Sequence, residues 1–318
     1  MRELKTKLSS IEKLLFSPDG NGLLVSYETL NVGWRDWKTG KLSPEIITDF
    51  RYSAAAWAPD NSGVFLSVSR GVRFLDLETN QVATCGIPYL CSGWFHTATT
   101  GTSYAIVTHG NDKLTRFDYL PDKKKFLKQW SIERGKLYSH YCFGNICDQH
   151  GTITTIEVGS KRGNEVFWIT TRSTTDGSEI HRLPFHEEAI QKWTFIAWHP
   201  SFRANGEQAA LAYGDHVAVL NFRESNPKRL ESRMFDGLEC HKTLYHPDGK
   251  SIFLSSMSNS VIEQFDLETR ERIAVFEGNT KIKLRYISAL AITPDGQYLA
   301  AAHKGKVVIW EMSEGRKP

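Results

Sequence analysis

Four side chains in the middle of the chain carry atoms that bind metals: His140 and Cys142, then Cys147 and His150. Two imidazoles and two thiolates are a zinc set. Their spacing departs from the usual CxxC pairs, and a β-hairpin would have to fold tightly to converge all four. Buried thiols and a surface imidazole are therefore the expectation, and no metal or cofactor is assigned. A second candidate is a recurring polar column, Asp36, Asp76, Asp118, Thr170, Asn221, Asp266 and Glu311. Carboxylates in such a column could pair for acid–base work or ring a metal. Asp at a strand end more often holds a turn by accepting backbone N–H groups, and ends of separate strands lie far apart. These residues are assigned to structure, and no catalytic residue is named. The run PDKKKFLK, with Lys123, Lys124, Lys125 and Lys128, could meet a phosphate, but its expected place is a solvated hairpin tip. The chain contains no GxxxxGK loop, no GxGxxG after a strand and no GxSxG elbow.

Richer in binding chemistry is a set that recurs just ahead of each innermost strand: Arg51 and Tyr52, Tyr89, Tyr138 and His140, Lys192 and Trp193, Glu239 and His241, Arg285 and Tyr286. Rigid amphipathic rings beside cations are the residue types that dominate binding hot spots. The competing expectation for each ring singly is packing between sheets.

The elements that would position this set come from a repeat. A short apolar run meets a Pro-containing turn at LLFSPDG (14–20), AAAWAPDNSG (54–63), FIAWHP (195–200), TLYHPDG (243–249) and LAITPDG (290–296). Proline presets φ and Asp-Gly accepts tight-turn dihedrals, so each marks a strand end. A second apolar run follows, at 23–27, 64–68, 209–213, 252–256 and 298–302. A third then alternates with period two: VGWRDW, VRFLDL, LTRFDY, IEQFDL and VVIWEM, with VFWITT and VAVLNF in the same frame. The polar column marks these third strands at intervals of 40, 42, 52, 51, 45 and 45 residues. The third and fourth units lack the Pro turn, and Gly144 to Gly151 stands in its place in the fourth.

Strand, SPDG-like turn, strand, then a strand ending in Trp-Asp or a relative resembles the WD-repeat over nearly the whole chain. Trp310-Glu311, Phe265-Asp266, Phe117-Asp118 and Leu75-Asp76 stand where that family has Trp-Asp. No unit carries the family's Gly-His pair, so its histidine-based hydrogen-bond tetrad is expected to be incomplete. The resemblance implies an all-β, seven-bladed β-propeller, one domain over 1–318, with Ala54, Ala55, Ala56, Ala197, Ala289 and Ala291 at the crowded centre. The last unit has only three strands, while RELKTKL alternates as an orphan strand at the N-terminus. It is expected to complete the seventh blade and close a complete chain.

With 9 Trp, 11 Tyr and 17 Phe the composition favours a β-rich core, and a net charge of +3 leaves no bulk footprint for nucleic acid. Five cysteines (Cys85, Cys91, Cys142, Cys147, Cys240) form no disulfide framework. The opening MRELKTKLSS lacks an apolar core for export, and no run of about 18 apolar residues exists, so a cytoplasmic location is expected.

Function follows as three competing expectations. The leading one is a non-enzymatic scaffold whose channel face binds a peptide or protein, steered by Arg and Lys toward an acidic segment. WD-repeat relatives mostly act as scaffolds. The alternative is a propeller enzyme, a metal-dependent lactonase or dehydrogenase-like protein, with a site at the channel entrance. That reading needs convergent carboxylates or imidazoles, and the set offers Glu239, His140 and His241. The third is binding of nucleic acid or anionic lipid, disfavoured by the charge balance, with no membrane span expected.

Overall fold

An Asp-Gly pair ends the first hairpin of three repeats: Gly20, Gly249 and Gly296 take φ of 72°, 68° and 73°, the left-handed region where glycine is unstrained. The preceding Asp locks each tip. Asp19, Asp248 and Asp295 accept the backbone N–H two residues on, at 3.0, 2.8 and 3.0 Å. Asp60 does the same for Ser62 at 3.1 Å. These local devices fix strand ends before any long-range contact forms.

The computed structural model describes residues 1–5, 11–27, 31–42, 46–47, 52–68, 71–85, 95–97, 104–110, 113–123, 125–133, 138–147, 151–161, 164–185, 201–203, 207–213, 216–221, 240–256, 261–278 and 287–317. Strand β1 is Arg2–Lys5. A first sheet follows: β2 (Ile11–Phe16), β3 (Gly22–Tyr27), β4 (Asn31–Asp36), β5 (Lys41–Leu42) and β6 (Ile46–Ile47). The second holds β7 (Tyr52–Trp57), β8 (Gly63–Val68), β9 (Gly71–Asp76) and β10 (Val82–Thr84). The third holds β11 (Phe95–Thr97), β12 (Tyr104–Gly110), β13 (Lys113–Leu120) and β14 (Lys125–Glu133). The fourth holds β15 (Tyr138–Cys147), β16 (Thr152–Lys161), β17 (Asn164–Ser173) and β18 (Glu179–Phe185). The fifth shows β19 (Ser201–Phe202), β20 (Gln208–Tyr213) and β21 (His216–Asn221). The sixth is β22 (Cys240–Tyr245), β23 (Ser251–Ser256), β24 (Val261–Asp266) and β25 (Arg272–Glu277). The last is β26 (Ala289–Ile292), β27 (Tyr298–His303) and β28 (Lys306–Glu311), with β1 added to its edge.

Among the described residues strand pairing is antiparallel throughout, and each sheet is a sequential meander apart from that addition and from β6, which pairs with β4. The all-β expectation therefore holds, and the repeated small sheets fit a β-propeller. The orphan N-terminal strand does complete the last sheet: Arg2, Glu3, Leu4 and Lys5 lie opposite Ile309, Val308, Val307 and Lys306.

Two compact units emerge, Asp49–Lys192 and a second made of Met1–Thr48 with Trp193–Pro318. In the second unit Leu4, Ile11, Leu14, Phe16, Tyr27 and Trp37 pack with Ala289, Ala291, Ala300 and Val307. Small alanines let the backbones approach while the rings fill the periphery. The Trp37 indole N–H donates to the Gly20 carbonyl at 2.8 Å, and its ring meets Phe16 edge-on at 5.8 Å. Trp310, from the WD-like pair, donates to the Glu277 carbonyl at 3.1 Å and so ties the last sheet to the sixth. In the other unit Phe65, Phe74, Tyr119 and Phe126 form one aromatic cluster.

Candidate functional site

The basic and aromatic set falls at the start of the first strands. Tyr52 opens β7 opposite Val68, Tyr138 and His140 lie on β15 opposite Gly159 and Val158, and His241 lies on β22. Arg51, Tyr89, Lys192, Trp193, Glu239, Arg285 and Tyr286 lie outside the described residues.

The described members share a backbone feature. Pairing slips by one residue between Tyr52 and Ala54, between Tyr138 and His140, and between Cys240 and Lys242. The same slip occurs in β2, between Ile11 and Lys13. An extra residue in one strand bends it and re-aims the side chains around it, as bulges beside binding sites do. The four first strands thus open with the same device, although their sequences differ.

The bulges reveal two residues absent from the set, Lys13 and Lys242. Each follows a bulge and lies opposite a serine of the second strand, Ser26 and Ser255 respectively. Both lysines are only partly exposed. Burial pushes the Lys13 ammonium down, with Glu12 beside it opposing the shift. Burial, with the Lys13 charge second, pushes Lys242 down to about 8. A like charge near a partly buried ammonium disfavours its protonation. No sequence pattern marks them: the inserted residue leaves Ile11 and Leu14, three residues apart, both buried, a break in alternation of a single step.

The polar column lies on third strands, as read; three of its carboxylates hold turns, while that of Asp118 accepts from the Arg116 guanidinium at 2.9 Å. The Asp36 carboxylate accepts the N–H groups of Lys38 and Thr39, both at 3.1 Å. Asp76 accepts from Glu78 and Thr79 at 3.0 and 2.9 Å, and Asp266 from Glu268 and Thr269 at 2.8 Å each. The fourth sheet departs from the frame. There Ser173, three residues past Thr170, accepts the N–H of Thr175 at 3.1 Å, and Gly177 N–H closes on the Ser173 carbonyl. Thr170 is interior to β17, opposite Thr155.

Hydrogen bonds from Thr269 and Glu268 hold the Asp266 carboxyl below the ordinary aspartate range. A depressed folded value means stabilisation that is complete above the unfolded value and lost as pH falls through the folded one. Asp266→Ala is thus expected to melt a few degrees below the parent at neutral pH, and the gap is expected to close below about pH 4. Thermal melts across that range check it; a gap independent of pH would remove the carboxylate from the turn's account.

The metal set does not converge. His140, Cys142 and Cys147 lie along the single strand β15, and seven residues at about 3.3 Å each separate His140 from Cys147 by roughly 20 Å. One tetrahedral ion cannot take ligands that far apart. His150 lies outside the described residues. The lysine run is at a hairpin tip, as expected: a short 3-10 turn, Pro121–Lys123, joins β13 to β14, and Lys123, Lys125 and Lys128 are exposed. Cys85 is buried, and burial raises its thiol to about 12, which leaves it inert as a nucleophile. No helix among the described residues is long and apolar enough to cross a membrane.

No protein-family description matches the chain, and no curated protein matches it. Solved structures do: 1495 chains match, a fold too widely shared to point to one chemistry. Among them is hydrazine synthase of Kuenenia stuttgartiensis, an enzyme by name, with a TM-score of 0.69 at 14% identity over 97% of each chain. At that identity the likeness concerns the fold alone.

Proposed function

We propose that this chain is a seven-bladed propeller of the WD-repeat type acting as a non-enzymatic interaction platform. The face at the start of the first strands receives a peptide or protein surface that bears an acidic segment. One observation carries the reading: β2, β7, β15 and β22 all open with a bulge, where the sequence concentrates Tyr52, Tyr138, His140, His241, Lys13 and Lys242. A bulge repeated at the start of four first strands, where aromatic and basic residues recur in the sequence, suits recognition better than turnover. Asp36, Asp76 and Asp266 favour the same reading, since carboxylates committed to turn N–H groups are not at hand for acid–base or metal chemistry.

Arg51, Trp193 and Arg285 are the anchors on this reading, with Arg51 and Arg285 steering the acidic segment. Affinity purification from the native host, comparing the parent with the triple variant Arg51→Ala, Trp193→Ala and Arg285→Ala, is the test. Each hot-spot truncation costs about 2 kcal/mol or more, so partners of the face should fall to background. Retention of every partner by a folded triple variant would discard the assignment.

A further inference from the structure

We propose that Arg203 and Tyr245, with Ser201, form a binding site for a carboxylate between the fifth and sixth sheets, filled either by a small free carboxylate or by the acidic side chain of a partner. Tyr245 ends β22, at the far end of that strand from its bulge, so the inference does not rest on the recognition face above.

Extended backbone brings the three together. The Arg203 N–H donates to the Gln208 carbonyl at 2.9 Å and so continues the pairing of β19, and alternation puts Ser201 and Arg203 on one side. Ser201 Oγ accepts the backbone N–H of Tyr245 at 2.8 Å, which joins that side to the end of β22. The guanidinium of Arg203 lies over Gly249 in the turn that follows, where a Cβ would be 2.2 Å from its Nε. The Tyr245 ring packs with Val217, Val219, Ile252 and Leu254, and the charge of Arg203 acts on its hydroxyl.

Two donors at this junction have no use within the described chain. Tyr245 is 4% exposed, and its hydroxyl has no hydrogen-bond partner. The Nε of Arg203 is buried and has none either, and the guanidinium enters no ion pair among the described residues. Burial pushes the Tyr245 hydroxyl well above the ordinary tyrosine range, against the opposing charge of Arg203, so it stays protonated and a donor. Buried donors without acceptors are rare because the lost hydration is not recovered.

The fold requires neither group. Phe16 holds the position of Tyr245 in the first sheet, FSPDG against YHPDG, and is buried without a hydroxyl. Two other turn glycines pack against a polar residue of a neighbouring sheet, Gly296 against His246 and Gly20 against Thr293. Those residues are engaged: His246 Nε2 lies 3.2 Å from the Gly296 carbonyl, and the Thr293 hydroxyl donates to Asp295 at 2.5 Å. Arg203 has no such bond. A guanidinium carries one charge on a planar fork that meets a carboxylate with two parallel hydrogen bonds. A single carboxylate therefore neutralises Arg203, and its oxygens can also accept from the hydroxyls of Tyr245 and Ser201. Arg203 is only partly buried, which leaves a path from solvent.

NMR of the full chain labelled at arginine, titrated with acetate and with N-acetylglutamate N-methylamide at constant ionic strength, tests the site. The Arg203 Nε–H signal should move saturably while that of exposed Arg316 stays. Saturation by acetate alone marks a site for a free ion, and saturation by both marks one that also takes a partner's side chain. The rise in melting temperature with acetate reads the variants. Arg203→Gln should abolish it, and Arg203→Lys, which keeps the charge and loses the fork, should weaken binding about tenfold or more. Tyr245→Phe should lose most of the rise yet melt no lower than the parent without ligand, as Phe16 fits the same position. No saturation with either ligand, equal shifts with uncharged acetamide, or undiminished binding by Arg203→Lys would overturn the proposal. So would a ligand-free Tyr245→Phe that melts several degrees below the parent, since its hydroxyl would then be satisfied within the chain. Should the Arg203 variants fail to fold, the parent titration and Tyr245→Phe decide.

Discussion

Deleting residues 1–9 is expected to lower the melting temperature by about 8 °C, from the loss of about 4 kcal/mol. The removed strand buries Leu4 to 6% exposure, worth about 2 kcal/mol. Its ladder to β28 adds net hydrogen bonds of about 0.5–1.5 kcal/mol each. Arg2 extends the strand's reach to the first sheet, where its guanidinium donates to the Trp37 carbonyl at 2.7 Å and to that of Lys38. Glu3 pairs with Lys306 at 2.9 Å, and the terminal amine meets Glu314. Deletion also strips one edge of β28, whose Val307, Val308, Ile309 and Trp310 are buried in the parent. An apolar strand with free N–H and C=O groups recruits other chains, so the truncated protein should aggregate as it melts. Calorimetry with light scattering checks both effects. A melt within a degree of the parent would show that the pairing contributes nothing.

Gly63→Ala should destabilise the chain by about 3 kcal/mol, close to the upper end for overpacking. Gly63 opens β8 opposite Asp76, and its backbone there is ordinary, so conformational freedom is not the reason for glycine. Space is. A Cβ at this position would lie 2.2 Å from the Cζ of Phe74 and 2.5 Å from the Leu75 carbonyl oxygen. Phe74 is 1% exposed and held by Phe65 and Tyr119, with centroids at 5.2 and 5.9 Å. The ring has nowhere to retreat, and the carbonyl belongs to the β8–β9 ladder. Glycine within a strand marks such an approach. Urea unfolding gives the number, and adding Phe74→Leu should recover only part of it, because the carbonyl clash persists. A loss under about 0.5 kcal/mol would mean the pair of strands yields freely.

What could be read from the sequence follows the range of the interactions involved. The Asp-Gly tips at Asp19-Gly20, Asp248-Gly249 and Asp295-Gly296 were legible because the bonds that fix them span two or three residues. Asp36, Asp76 and Asp266 were legible as turn-holders for the same reason. The fourth sheet was misframed by three residues since β17 is long and continues alternating past Thr170, while its turn is capped by Ser173 in place of Asp. Bulges were not legible at all. One inserted residue in β2 or β22 breaks the period of two for a single step, which any short window averages away. Lys242, next to His241, therefore carries no mark in the sequence pattern. Lys13 belongs to the opposite end of the chain, and only tertiary packing around β26 brings its charge to bear on Lys242.

The pairing of β1 with β28 also orders events in time. During synthesis β1 leaves the ribosome about 300 residues ahead of β28, the strand it pairs with. At 5–20 residues per second, Arg2–Lys5 wait roughly 15 to 60 seconds with no strand to receive them. The charges of Glu3 and Lys5 then have a second use, as gatekeepers that hold a nascent strand in solution until its partner arrives.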